Sequence, residues 1–199
     1  MELYCIHLRQ QPERLERLKT HLSELGEDVC LNVVDGIYNS RGNIGCANSH
    51  KKIIQYAINK NMDKVVVIED DVKMKDGYLS KLNRSYDELP EDWDILLGGV
   101  SWAKNIKERV GLNLVKIGDF SATHFIVYRK KCYGHVLKWN ETIKPDNIDR
   151  YIGSLSERGI LNVYCFVPFL ATQFNGYSTI RNKDTDDSET FMRAERKMM

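Results

Sequence analysis

Between residues 3 and 69 the hydrophobic positions change spacing four times, from compact runs to helical periodicity and back. The run LYCIHL (3–8) predicts a strand. Leu15, Leu18, Leu22 and Leu25 then recur at helical spacing through QQPERLERLKTHLSELG, and Gly26 supplies a stop. VCLNVVDG (29–36) predicts a second strand closed by a turn. NIGCANSHKKIIQYAINKN follows, with Ile44, Ala47, Ile54, Ala57 and Ile58 expected on one face of a second helix. KVVVIE (64–69) is so rich in β-branched residues that burial on both faces is expected. This β-α-β-α-β order predicts an α/β fold with a mainly parallel sheet and helices on both faces.

Beyond residue 90 the pattern is less regular. DWDILLGGVSW (92–102) predicts a strand ending at Gly98 and Gly99, which let a backbone come close to a ligand or merely turn the chain. FSATHFIVYRKKCYGHVL (120–137) predicts a strand running into a helix. KPDNIDRYIGSL predicts a helix starting near Pro145, with Asp146 and Asp149 on one face. VYCFVPFLATQFNGYSTI (163–180) predicts a strand and a loop carrying Gln173 and Ser178. The last stretch, 181–199, is highly charged with few apolar anchors, and is expected to be a charged tail or a peripheral helix.

Composition narrows the classes. A chain of 199 residues that is 42% hydrophobic and 29% charged suits one soluble domain with its own core. Its formal net charge of +1 and the lack of a basic stripe argue against a nucleic-acid partner. No apolar run approaches the roughly 20 residues of a membrane-spanning helix. The opening MELYCIHLRQQ lacks a signal-peptide layout, so a cytoplasmic location is expected. Cys5, Cys30, Cys46, Cys132 and Cys165 are odd in number and widely spaced, and are expected to be reduced residues mostly in the core.

The candidate chemistry sits in VVVIEDDVKM (65–74), where Glu69, Asp70 and Asp71 follow the third strand directly. Ligands of open α/β sheets bind beyond the carboxyl ends of strands. Acids there can hold a divalent cation, whose charge relieves their repulsion. The alternative is an exposed acidic turn capping a helix that starts near Asp76. Alternation along an extended chain turns Glu69 and Asp71 one way and Asp70 the other.

Three segments occur together in this order: IHLRQQPERLERL, GNIGCANSHKKIIQYAI and VVVIEDDV. They resemble glycosyltransferase family 25, which includes bacterial lipooligosaccharide galactosyltransferases and collagen galactosyltransferase domains, in its forms INLDRRPDR, GxIGCxxSH and xxLEDD. Gly42, Ile44, Gly45, Cys46, Ser49 and His50 carry the specific match. The first segment departs from the family, with His7, Leu8, Arg9, Gln10 and Gln11 where Asn, Leu, Asp and two Arg are usual. The resemblance covers the first half of the chain well and the second half weakly.

What the resemblance implies is a GT-A-like, Rossmann-type catalytic domain over residues 1–180. Residues up to about 100 would form the nucleotide-binding half, and 101–180 the acceptor half. It implies an inverting, metal-dependent glycosyltransferase using a nucleoside-diphosphate sugar, with a UDP-sugar favoured, and a glycan, glycolipid or glycoprotein acceptor. Mn2+ or Mg2+ would neutralise the departing diphosphate, with Asp71 as direct ligand and Glu69 as supporting carboxylate. Asp70 would then accept hydrogen bonds from ribose or sugar hydroxyls.

On the donor side the resemblance also implies Asp35 and Gly36 after the second strand. The glycine loop adds Gly45, Ser49 and His50, at a helix start whose free N–H groups favour anions. His50 has the alternative of bracing the loop by hydrogen bonds. Arg9 and Arg14 could reach a phosphate, against the ordinary alternative of solvated charges. Ser121, with Ala122 and Thr123 beside it, and Gln173 are expected to border the donor from the second half. Asp149 is expected to be the base that takes the acceptor proton, with Asp146 as a helix cap or the substitute base. Two other classes remain: an inactive sugar-nucleotide or glycan-binding module, and a metal-dependent nucleotidyltransferase or phosphatase, for which no phosphate-loop or nucleophile motif is present.

Overall fold

The computed structural model describes residues 1–178, 180–181 and 183–199. Thr179 and Asn182, within the segments read above as a loop and a tail, lie outside the described residues. The first half follows the predicted order: β1 (Glu2–His7), α1 (Pro12–Leu25), β2 (Cys30–Asp35), α2 (Gly42–Asn59) and β3 (Lys64–Glu69). Next come β4 (Val72–Met74), α3 (Tyr78–Glu88), β5 (Ile95–Leu97), β6 (Trp102–Ala103), β7 (Ile106–Val110), β8 (Leu114–Ile117), β9 (Phe120–Ser121) and β10 (Phe125–Arg129). The chain ends with α4 (Lys130–Leu137), α5 (Ile148–Glu157), β11 (Val163–Phe166), β12 (Ala171–Gln173), β13 (Gly176–Ser178), β14 (Lys183–Thr185) and α6 (Ser188–Met198).

The central sheet has eight strands in the order β2-β1-β3-β10-β5-β11-β8-β7. Following the pairings, β2, β1, β3, β5, β11 and β7 run one way and only β10 and β8 run against them. β3 separates two cores because its side chains alternate: Val65 and Val67 pack with α2, α4 and α5, while Val66 and Ile68 pack with α1 and α3. β1 and β3 pair in parallel, so His7 and the acidic triplet emerge side by side at their carboxyl ends. That edge is where ligands of such sheets bind.

Local chemistry explains the elements that position this edge. Pro12 opens α1 where its missing N–H costs nothing, and Gly26 ends it in the left-handed conformation at φ 64°. Asp70 and Asp71 form a tight turn from β3 into β4, and β4 pairs with β12, so the triplet is not a loop running straight into a helix. The next helix begins at Tyr78 rather than near Asp76.

Some expected details differ. Ile58 is 42% exposed in the last turn of α2, while Ile44, Ala47, His50, Ile53, Ile54 and Ala57 are buried. α5 starts at Ile148 with Asn147 at its N-terminal boundary, so Asp146 lies outside the helix and caps nothing. Its carboxylate pairs instead with Arg41 at 2.7 Å and Lys144 at 3.2 Å, neighbours that outcompete the helix end. Of the five free cysteines, Cys30 is exposed at the β2 edge and Cys46 is half-buried. The charged terminus folds back: β14 pairs with β13, and Phe191, Ala194 and Met198 of α6 are buried. No helix among the described residues is long and apolar enough to cross a membrane.

Candidate active site

The three consecutive carboxylates have three different environments. Asp70 is buried, with Oδ2 2.7 Å from His7 Nδ1 and Oδ1 2.5 Å from Arg14 Nη2. Asp71 meets the same guanidinium through Oδ2 at 2.7 Å, while its buried Oδ1 has no hydrogen-bond partner. Glu69 turns toward α2 and the β9–β10 connection, where Oε1 accepts the Thr123 hydroxyl at 2.8 Å and lies 3.5 Å from His50 Nε2. Repulsion within the triplet is therefore relieved by Arg14, His7 and His50. Burial, partly opposed by Arg14 and reinforced by the Glu69 and Asp70 charges, pushes the Asp71 carboxyl up to about 6. Burial also raises Asp70, against Arg14 and His7. For Glu69 burial is outweighed by the nearby His50 imidazole, 3.5 Å away, and by the Thr123 hydrogen bond, which hold its carboxyl down at about 2.

The start of α2 forms a second wall. A Cβ on Gly45 would stand 2.5 Å from the Ile37 carbonyl oxygen, so only glycine lets the loop lie against the helix. Ser49 locks that contact: its Oγ accepts Ile37 N–H at 2.8 Å and donates to Gly45 O at 2.7 Å. His50 is fully buried and its Nδ1 lies 3.1 Å from the Tyr128 hydroxyl.

The third wall comes from β9 and α5. Asp149, in the first turn of α5, accepts Ala122 N–H through Oδ2 at 2.9 Å and Arg150 N–H through Oδ1 at 2.7 Å. Ala122 has φ 93°, a strained conformation for a residue with a side chain, held here by that bond. Burial raises the Asp149 carboxyl despite the two N–H donors.

These walls enclose two adjoining cavities of about 460 and 280 Å³. The larger brings together Arg14, Glu69, Asp71, Ser121, Asp149 and Gln173. The smaller holds Arg14, Gly45, Ser49, Glu69 and Asp70 beside Tyr38 and Asn39. Other expected donor-binding residues lie elsewhere. Arg9 and Asp35 are exposed and form an ion pair with each other, with Arg9 Nε 2.7 Å from Asp35 Oδ1, and neither lines these two cavities. Gly36 packs against Leu8 and Ile6 and donates its N–H to His7 O, also outside the cavities. Asp146 is outside them too.

Several cavity residues had no sequence signal of their own. Arg17 lies over the Phe174 ring at 4.5 Å and donates to Asn175 O. Its spacing of three from Arg14 was visible in α1, but its partners come from the β12–β13 connection, more than 150 positions away. Trp102 and Tyr177 reach the cavity through β6 and the β13–β14 hairpin.

Comparison with known proteins bears on the family and the fold. Residues 39–144 match the family model described as glycosyltransferase family 25 (LPS biosynthesis protein). Procollagen galactosyltransferase 2 of Homo sapiens is 27% identical, over 49% of this chain and 20% of that protein. The probable inactive glycosyltransferase 25 family member 3 of Bos taurus is 26% identical, over 49% and 21%. The matched region is thus about a fifth of the length of these relatives. Among solved structures, a glycosyltransferase involved in the glycosylation of the major capsid of PBCV-1 has a TM-score of 0.53 at 12% identity, covering 96% of this chain and 98% of that one. A mutant Drosophila β1,4-galactosyltransferase 7, in complex with manganese, UDP-Gal and xylobiose, has a TM-score of 0.53 at 14% identity, covering 93% and 74%. At these identities the likeness concerns the fold, which is GT-A-like.

Proposed function

The chain belongs to glycosyltransferase family 25, and from that premise we propose that it transfers a sugar, with inversion, from a nucleoside-diphosphate sugar to an acceptor hydroxyl. The donor favoured is a UDP-sugar, the cofactor Mn2+ or Mg2+, and the acceptor a glycan, glycolipid or glycoprotein. The observation that carries this reading is one cavity lined by both Asp71, with its unpartnered buried Oδ1, and Asp149. The unpartnered oxygen fits a hard cation, since oxygen is the ligand such ions prefer. Asp71 would hold it, with Glu69 in support. When bound, the ion acts as a Lewis acid on the diphosphate.

The chain's own residues supply the rest. Arg14 and Arg17 line the same cavity and place positive charge where the leaving diphosphate gains negative charge. Asp149 takes the acceptor proton as the acceptor oxygen bonds to the anomeric carbon and the bond to the diphosphate oxygen breaks, its electron pair leaving with the diphosphate. A carboxyl raised by burial is a better proton acceptor than an ordinary aspartate. The five cysteines, all unpaired, support a reducing compartment such as the cytoplasm.

Thermal unfolding with UDP, GDP, CMP and their sugar conjugates, each with Mn2+, Mg2+ or EDTA, tests the donor site. A ligand at about 100 times its Kd stabilises by about 2.7 kcal/mol, several degrees for this size. The expected shift needs one nucleotide and the metal together, and disappears in Asp71→Asn. If Asp71→Asn keeps the full metal-dependent shift, Asp71 is not the ligand. Asp149→Asn should keep donor binding and lose roughly 10² to 10⁴ in transfer. Transfer at the wild-type rate would remove Asp149 as the base.

A second reading, a sugar-nucleotide-binding module without turnover, is favoured by the two backbone N–H groups that already occupy both Asp149 oxygens. Donor binding with no transfer to any acceptor would select it.

A further inference from the structure

His50 is wholly buried, yet its Nε2 has no hydrogen-bond partner. That is costly in a helix packed against a sheet, where buried polar atoms are normally satisfied. The ring cannot turn freely to solve this, because Nδ1 is engaged by the Tyr128 hydroxyl at 3.1 Å. Nε2 faces two other potential ligands. Cys46 lies one turn earlier on α2, Glu69 ends β3, and the Cys46 sulfur, the His50 nitrogen and a Glu69 oxygen all lie within 4.8 Å of one another. Bonds of about 2.0 to 2.3 Å around a tetrahedral Zn2+ put neighbouring ligand atoms about 3.5 Å apart. His50 Nε2 and Glu69 Oε1 are already 3.5 Å apart, and the Cys46 sulfur, within 4.8 Å of both, needs only a small shift to complete the set.

The geometry points to a binding site for a soft divalent cation of the zinc class, held by Cys46 Sγ, His50 Nε2 and the Glu69 carboxylate. Cys46 and Glu69 line both cavities, so the fourth position opens onto them and takes a water or a substrate oxygen. Tyr128 acts behind the imidazole, fixing which nitrogen points at the ion. Burial holds the Cys46 thiol in its neutral form, so binding the ion releases that proton to solvent and leaves a thiolate. The thiolate and imidazole distinguish this site from the oxygen-seeking one at Asp71: soft ligands favour zinc over Mg2+ or Mn2+. The two ions would share only Glu69.

Titration of the full chain with Co2+, followed by thiolate-to-cobalt charge-transfer absorption, tests the site. The expected band saturates at about one equivalent, is displaced by Zn2+, is absent from Cys46→Ser and persists in Cys30→Ser. Zinc-edge X-ray absorption of the wild-type chain loaded with Zn2+ needs no variant, and should detect one sulfur neighbour at about 2.3 Å. No band at saturating Co2+, a band that survives in Cys46→Ser, or a zinc shell of oxygen and nitrogen alone would overturn the assignment. Neither readout involves a nucleotide, so failure of the donor-site experiment leaves this result standing.

Discussion

Two Arg–Asp pairs stand at the carboxyl ends of neighbouring parallel strands, and their surroundings differ completely. Arg9 follows β1 and meets Asp35 at the end of β2 with 79% of its side chain exposed. Arg14, in α1, meets Asp70 and Asp71 behind β3 with 12% exposed. The first pair exchanges one set of solvated contacts for another and is worth little. The second is mostly removed from water, so removing either partner leaves a largely buried charge without its counter-charge. Residue type and sequence distance from β1 make the arginines look equivalent. Burial decides which of them shapes the cavity.

The comparison breaks most directly at Arg14. Arg14→Met leaves Asp70 and Asp71 buried without their cation, and urea denaturation at neutral pH should show a loss of about 3 kcal/mol. An unchanged midpoint would mean that the two aspartates find another counter-charge. Between the pairs, Gly45→Ala forces a Cβ toward the Ile37 carbonyl and should cost about 1–3 kcal/mol, with weaker donor binding as the loop shifts. If the variant is as stable as wild type, the loop is not held as tightly as its contacts imply.

A third test uses pH. The folded-state Asp71 value of about 6 lies above its ordinary 3.8. Its contribution to stability is therefore complete below the unfolded value and is lost as pH rises through about 6. Cation binding needs the carboxylate, so calorimetric Mn2+ affinity should fall about tenfold per pH unit below that value and level off above it. A flat profile would separate Asp71 from the ion. The smallest effect belongs to Arg9→Met, for which no measurable change in unfolding is expected. A loss matching that of Arg14→Met would show that exposure is not what distinguishes the pairs.

Legibility followed the range of the interactions. The β-α-β-α-β start was readable because runs of β-branched residues and leucines at helical spacing encode their elements locally, and α1 and β3 match those spans closely. The acidic triplet and the glycine loop were readable as candidates for the same reason. The roles of Arg9, Asp35 and Gly36 could not be separated from those of Arg14 and Gly45, because the difference lies in which residues the fold covers. Asp146 and Asp149 illustrate the same point three residues apart: one turns to Arg41 and Lys144, while the other is buried against Ala122. Cys46 reads as a core thiol in the sequence, and only the fold brings Glu69 of β3 beside it on α2.

By itself, then, the sequence determined the strands and helices of the first half, where the carboxylates follow β3, and that glycines stand where α2 opens, since each depends on neighbours within a few residues. Only the tertiary structure decided the reversed β10 beside β3, the docking of α6, the choice of Arg14 over Arg9, and the meeting of Cys46, His50 and Glu69. These depend on contacts between residues far apart in the chain and on the exclusion of water around them. That exclusion sets both the strength of a charge and the cost of leaving it unpaired.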